Sequence, residues 1–206
     1  MKLVRREILI DAGEFTSIPA WTRIEQNILD AINSVHWPSG SDKFIIFDEK
    51  GKERGKGSGV VPIKQAFCQT LQRMGWSLET KLSIAAREKP GPIDATLPVE
   101  EKFQPRLFAV EWETGNISSS HRALNKMALG IQEGILAGGA LILPTRNLYQ
   151  YLTDRVGNLE ELEPYFPLWK ALPCQYGVLV VYAVEHDGVS KSVPRIPKGT
   201  NGRALI

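Results

Sequence analysis

Glu111 and Glu113 stand two residues apart in Leu107-Phe108-Ala109-Val110-Glu111-Trp112-Glu113, and Asp94 precedes them in Ile93-Asp94-Ala95-Thr96-Leu97. Residues two apart on an extended strand share a face, with Cα atoms roughly 7 Å apart. Phe108, Val110 and Trp112 then fill the opposite face, so the strand is central and its acidic side is partly buried. Carboxylates gathered in such a place repel one another and lose hydration unless a cation offsets both. With Asp94 converging from a neighbouring strand, the three offer an all-oxygen donor set that suits Mg²⁺ or Mn²⁺ rather than zinc. That chemistry polarises a phosphodiester and activates a water, with Glu113 placed to orient or deprotonate it. Two other readings stay open at this point. A glycosidase needs paired carboxylates about 5–9.5 Å apart, although the tryptophans fall mostly in core phase. Carboxylates also cluster for structural reasons.

The elements around these acids follow from apolar spacing. Ser17-Ile18-Pro19 starts a helix whose stripe is Trp21, Ile24, Ile28, Ala31, Ile32 and Val35, stopped by Trp37-Pro38. Phe44–Phe47 reads as a short strand, and the charged, glycine-rich stretch Asp48–Gly59 as a mobile loop. Pro62 opens a second helix with Ile63, Phe67, Leu71 and Met74 on one side. Alternation from Trp76 to Ile84 predicts a strand with Glu79 on its polar face. Thr114-Gly115-Asn116 breaks the acidic strand and caps a helix with Ile117, Leu124, Met127, Ala128, Ile131 and Ile135 on one stripe. Gly138-Gly139 introduces a strand at Ala140–Leu143. Helices near Asn147–Thr153 and Asn158–Lys170 and a buried strand at Gly177–Val184 complete a mixed α/β fold, one domain over 1–206, with helices flanking five or six strands.

Composition excludes several classes. Hydrophobic residues make up 43% and charged residues 23% of the 206 residues, as in an ordinary globular chain. No apolar run is long enough to span a bilayer, and Ile8–Ile10 is too short for a signal-peptide core, so a cytoplasmic location is expected. Cys68 and Cys174 are too few for a disulfide framework or a zinc site and are read as buried, inert thiols. A net charge of +2 does not announce a nucleic-acid binder. Basic residues nevertheless cluster at Lys50, Lys52, Arg54 and Lys56, and again at Lys191, Arg195, Lys198 and Arg203.

The run Glu111-Trp112-Glu113-Thr114-Gly115-Asn116-Ile117-Ser118-Ser119-Ser120-His121-Arg122 resembles the active-site strand and following helix of the BamHI family of type II restriction endonucleases. The resemblance continues through Asn125-Lys126, Tyr151–Val156, Asn158–Phe166 and Ile196–Gly199, and upstream through Gly91–Asp94 and Gly59–Lys64. It implies a restriction-endonuclease-like core of the PD-(D/E)xK type, and Mg²⁺-dependent cleavage of duplex DNA at GGATCC. The cut would fall after the first guanine, leaving 5′ GATC overhangs and 5′-phosphates. Mn²⁺ would substitute and Ca²⁺ would bind without supporting cleavage. By the same resemblance Asp94, Glu111, Glu113 and Glu79 are the catalytic acids, Asp94, Glu111, Trp112 and Glu79 hold the metal, and Glu113 replaces the lysine common in related nucleases.

Base reading is implied for Asp154 and Arg155 at the outer G·C pair, in keeping with arginine donating twice to guanine and aspartate accepting from cytosine. Asn116, Ser118 and Arg122 match the readers of the inner pairs, and Lys64, Lys198, Gly199 and Asn201 match further DNA-binding positions. On the residues alone, Asn116 as a helix cap and Asp154-Arg155 as a local ion pair are the simpler readings. Asn201 stands where a member of the family carries Asp, a departure from the pattern. A palindromic site calls for two copies of one reader, so the resemblance implies a homodimer through the helices near 117–135 and 158–170. His121 is read as a surface or hydrogen-bonded histidine, not a base. A DNA-binding protein without catalysis and a metal-dependent hydrolase of another substrate remain the alternatives; the intact acids argue against the first.

Overall fold

The computed structural model describes residues 1–51, 55–85, 91–100, 105–153 and 156–198. In chain order the elements are β1 (Lys2–Ala12), α1 (Pro19–Asn33), β2 (Ile45–Phe47), α2 (Val61–Arg73), β3 (Ser77–Lys81), β4 (Pro92–Val99) and β5 (Arg106–Trp112). There follow α3 (Ile117–Gln132), β6 (Leu136–Pro144), α4 (Arg146–Tyr149), α5 (Leu159–Leu162), α6 (Phe166–Lys170), β7 (Gly177–Glu185) and β8 (Gly188–Ser190). Six strands form one mixed sheet in the order β1-β7-β6-β5-β4-β3, and β2 pairs with β8 in a small ribbon. The centre, β5-β6-β7, is parallel, while β3-β4-β5 and β1-β7 are antiparallel. Parallel neighbours need a crossover, which α3 supplies between β5 and β6.

Each face of the sheet carries its own core. On one, Phe108, Val110 and Trp112 of β5 pack with Trp21, Ile24 and Ile28 of α1 and with Phe67 and Leu71 of α2. On the other, Ala109 and Leu141 meet Leu124, Met127 and Ile131 of α3, together with Leu159, Leu162, Phe166 and Trp169. The alternation of β5 is thus read correctly from sequence, and a mixed α/β architecture with helices flanking a central sheet is what the chain adopts.

Where boundaries differ, side-chain packing gives the reason. β6 begins at Leu136, so Gly138 and Gly139 lie inside it and do not introduce it. A Cβ on Gly138 would come within 2.6 Å of the Phe108 ring, and one on Gly139 within 2.7 Å of the Met127 sulfur. The expected helix over Asn158–Lys170 is broken by Pro164 and Pro167 into α5, a 3-10 turn at Glu163–Tyr165 and α6. α3 ends at Gln132, and Ile135 lies beyond the turn at Gly134, whose φ is 71°. β1 escapes sequence reading because charges interrupt its apolar pattern. Those charges are paired: Arg6 with Glu25 at 2.6 Å, Arg5 with Glu163 at 2.7 Å, and Lys170 with Glu7 at 2.6 Å. Cys68 is buried as expected, whereas Cys174 is only half-buried.

The loop expected to be mobile is held at its described ends. The Gly51 N–H donates to the Gln150 carbonyl at 2.8 Å and that of Ser58 to the Tyr151 carbonyl at 2.7 Å. Gly51 and Gly57 pack against each other and the Leu152 carbonyl: a Cβ on Gly51 would stand 1.6 Å from that oxygen, and one on Gly57 2.5 Å from the Gly51 Cα. Gly57 also has φ +80°, the left-handed region open to glycine.

Candidate active site

Three adjacent strands bring the acids together. β4 pairs with β5 through Ala95 and Val110, which puts Asp94 beside Glu111 one step along. β3 pairs with β4 through Leu78 with Ala95 and Thr80 with Ile93, and Glu79 falls opposite Asp94 between them. Glu79 has φ 53°, an uncommon backbone conformation for a residue with a Cβ, and one of the kind that concentrates at functional sites. Glu79, Asp94, Glu111 and Glu113 all line one cavity of about 1100 Å³, together with Lys64 from α2 and Ser118, Arg122 and Lys126 from α3.

The best-held of these groups is Asp94, which is 5% exposed. Its Oδ2 accepts the Trp112 N–H at 2.8 Å, and its Oδ1 meets the Lys64 ammonium at 2.5 Å. Glu111 is pushed up to about 8, first by burial and then by the Asp94 charge; Lys126, Lys64 and the Asp94 N–H oppose this. Burial also raises Glu113, against the pull of the Gly115 N–H, which donates to its Oε1 at 2.5 Å. The Lys64 ammonium is held above its ordinary range by Asp94 despite the opposing effect of burial. Burial lowers Lys126, whose Nζ donates to the Gly91 carbonyl at 2.7 Å. An acid held near 8 is a group with unmet demand for positive charge, and the donor set is all oxygen, as Mg²⁺ or Mn²⁺ prefers. Trp112 is buried with its ring 4.8 Å from that of Phe67, so what it can offer a cation is its carbonyl oxygen. Among the described residues no three acidic, His or Cys side chains are already drawn together as a metal cage. The ammonium of Lys64 stands on Asp94 in that arrangement.

Whole-chain comparison gives the family. The family model described as restriction endonuclease BamHI matches residues 1–203. The chain is 47% identical over 205 residues to the type II restriction enzyme OkrAI of Oceanobacter kriegii, covering 100% of both chains. It is 36% identical over 187 residues to the type II restriction enzyme BamHI of Bacillus amyloliquefaciens, covering 89% of this chain and 81% of that one. This chain belongs to the BamHI family of restriction endonucleases. Its class is therefore that of the type II enzymes, which are site-specific deoxyribonucleases. The fold is also that of BglII endonuclease, solved with a DNA 16-mer, at a TM-score of 0.62 over 99% of this chain and 98% of that one. Identity there is 11%, so that likeness speaks for the fold alone.

Of the residues singled out from sequence, those of the acidic centre and two from α3, Ser118 and Arg122, share the cavity with Lys64. Asn116 is exposed at the head of α3, and its Oδ1 accepts the Ser119 N–H at 3.2 Å, so it does cap the helix. Lys198 donates to the Lys56 carbonyl. Asp154, Arg155, Gly199 and Asn201 lie outside the described residues, as do Lys52, Arg54 and Arg203. His121 is packed edge-on against Tyr165 at 4.6 Å, and burial lowers its pKa. The residue that sequence reasoning left without a role is Lys126. Its signal was present: Ser118, Arg122 and Lys126 recur every four residues, so α3 turns all three the same way. No helix among the described residues is long and apolar enough to cross a membrane.

Proposed function

We propose that this member of the BamHI family cleaves duplex DNA at the palindrome GGATCC in a Mg²⁺-dependent reaction, between the two guanines. The observation that carries the proposal is the shared cavity of Asp94, Glu111, Glu113 and Glu79, walled by Lys64, Arg122 and Lys126. A cluster of acids able to hold a cation, rimmed by Lys64, Arg122 and Lys126, suits a substrate that is anionic and reacts at phosphorus. Asp94, Glu111, the Trp112 carbonyl and Glu79 are the groups that would hold Mg²⁺, or Mn²⁺ in its place, with Ca²⁺ binding unproductively. The bound ion would supply polarisation of the scissile phosphate and a lowered pKa for the attacking water. Glu113, raised by burial and steadied through Gly115, accepts the proton of that water. Arg122 and Lys126 neutralise phosphate charge at the cavity wall.

Recognition rests on Asn116, Ser118 and Arg122 at the head of α3, and on Asp154 and Arg155 for the outer pair. Lys64, Lys198, Gly199 and Asn201 add further contacts. Two copies reading one palindrome would meet through α3 and the α5–α6 segment, where Leu168 is 65% and Tyr165 46% exposed. The test is incubation of the purified protein with plasmid DNA in Mg²⁺ and in EDTA, followed by sequencing of new ends. Ends within GGATCC in Mg²⁺ alone are expected. Specific binding without cleavage would favour a DNA-binding protein that has lost catalysis, and no interaction with DNA would sink both readings.

A further inference from the structure

We infer that Lys64 is the resident counter-ion of the acidic centre, and that a divalent cation reaches Asp94 Oδ1 only by exchanging with its ammonium group. The inference rests on the metal-dependent reading above and adds to it a residue from outside the acidic strands.

The geometry of Asp94 leaves little room for anything else. Oδ2 accepts the Trp112 N–H at 2.8 Å, and that amide is fixed in the central strand. Oδ1 is the oxygen without a backbone donor, and Lys64 Nζ lies 2.5 Å from it. A cation ligated to Oδ1 at a normal metal–oxygen distance would stand within about 5 Å of that ammonium. Two positive centres so close, beside a carboxylate only 5% exposed, repel with little screening. The lysine is free to leave. It sits in the first turn of α2, its side chain is 31% exposed, and it faces the same cavity of about 1100 Å³. Nothing on its own helix holds it as an alternative anion. The group one turn on is Cys68, which burial keeps up at about 12 and therefore neutral. Lys126 is the useful contrast. It feels the same acids, but its Nζ is bonded to the Gly91 carbonyl at 2.7 Å and does not stand on a carboxylate.

The experiment measures Mn²⁺ binding to the full chain by titration calorimetry without DNA, for the wild type and for Lys64→Gln, Lys64→Arg, Lys126→Gln and Asp94→Asn. Removing the competing ammonium should tighten Mn²⁺ binding on the order of tenfold in Lys64→Gln, as for a partly buried ion pair. Lys64→Arg, which keeps the charge, should stay near the wild type. Lys126→Gln should gain severalfold less than Lys64→Gln. In EDTA, Lys64→Gln should unfold at a lower temperature than the wild type, and Mn²⁺ should close that gap, which also reports on its folding. Unchanged or weaker Mn²⁺ binding in Lys64→Gln overturns the inference, as do equal gains from Lys64→Gln and Lys126→Gln, which would reflect distant charge alone. If neither the wild type nor any variant binds Mn²⁺, the metal-dependent reading fails and the inference falls with it. Binding that Asp94→Asn abolishes but Lys64→Gln leaves unaltered refutes the inference and spares that reading.

Discussion

Replacing Glu111 with Gln removes an ionisable acid from the acidic centre and leaves a nearly identical shape, including an oxygen to accept the Asp94 N–H. Burial and the Asp94 charge push the Glu111 carboxyl from 4.5 to about 8. The folded protein therefore keeps a proton on Glu111 that the unfolded chain has already lost. Stability from this group is fully present below pH 4.5 and declines as pH rises toward 8. With the carboxyl still partly in contact with solvent, the loss is worth about 3–5 kcal/mol at the alkaline end. Glu111→Gln escapes that loss, because its amide stays neutral at every pH. Urea unfolding in EDTA at fixed protein concentration measures it. The variant should match the wild type within about 1 kcal/mol near pH 5 and exceed it by about 3–5 kcal/mol near pH 8.5. It should at the same time lose Mn²⁺ affinity and cleavage. A stability difference that does not change with pH, or a variant less stable than the wild type at pH 8.5, would refute the assignment of Glu111 as a buried carboxylate awaiting a cation.

Asp94→Asn should abolish plasmid cleavage while leaving specific DNA binding in a gel-shift assay, because fewer negative charges then face the phosphates; loss of specific binding with the fold intact would make Asp94 structural. Leu168→Asp, on a side chain 65% exposed, should leave the fold unchanged and shift sedimentation from dimer to monomer; a wild type that is monomeric with and without DNA would dismiss the proposed interface. Gly138→Val should cost about 1–3 kcal/mol in urea unfolding, since its Cβ has Phe108 and Val178 atoms within 3 Å.

The acidic strand was legible because its two faces are chemically opposite: Phe108, Val110 and Trp112 against Ala109, Glu111 and Glu113. Asp94 was legible as a partner because Pro90-Gly91-Pro92 marks where its strand begins. The Lys64–Asp94 contact was not, because it joins α2 to β4 across the face of the sheet, and no local period carries that information. Nor was the left-handed backbone of Glu79, which alternation reads as one more strand residue. β1 was hidden for a related reason, since Arg5, Arg6 and Glu7 look like a solvated terminus until Glu163, Glu25 and Lys170 are brought to them from far along the chain. Proline, by contrast, was underweighted where it could be read directly, at Pro164 and Pro167.

The close approach of Gly51 and Gly57 has a bearing on how this chain would respond to a cut backbone. Both glycines touch one carbonyl, Leu152, which immediately precedes Thr153 and the Asp154-Arg155 pair. Gly51 and Gly57 are thus tied at one point, two residues before Asp154 in the chain. A methyl group on either glycine would collide with that carbonyl or with the other glycine. A protease cut between them should leave both cut ends in place, and a nicked molecule that keeps its shape and its DNA affinity is the expected product.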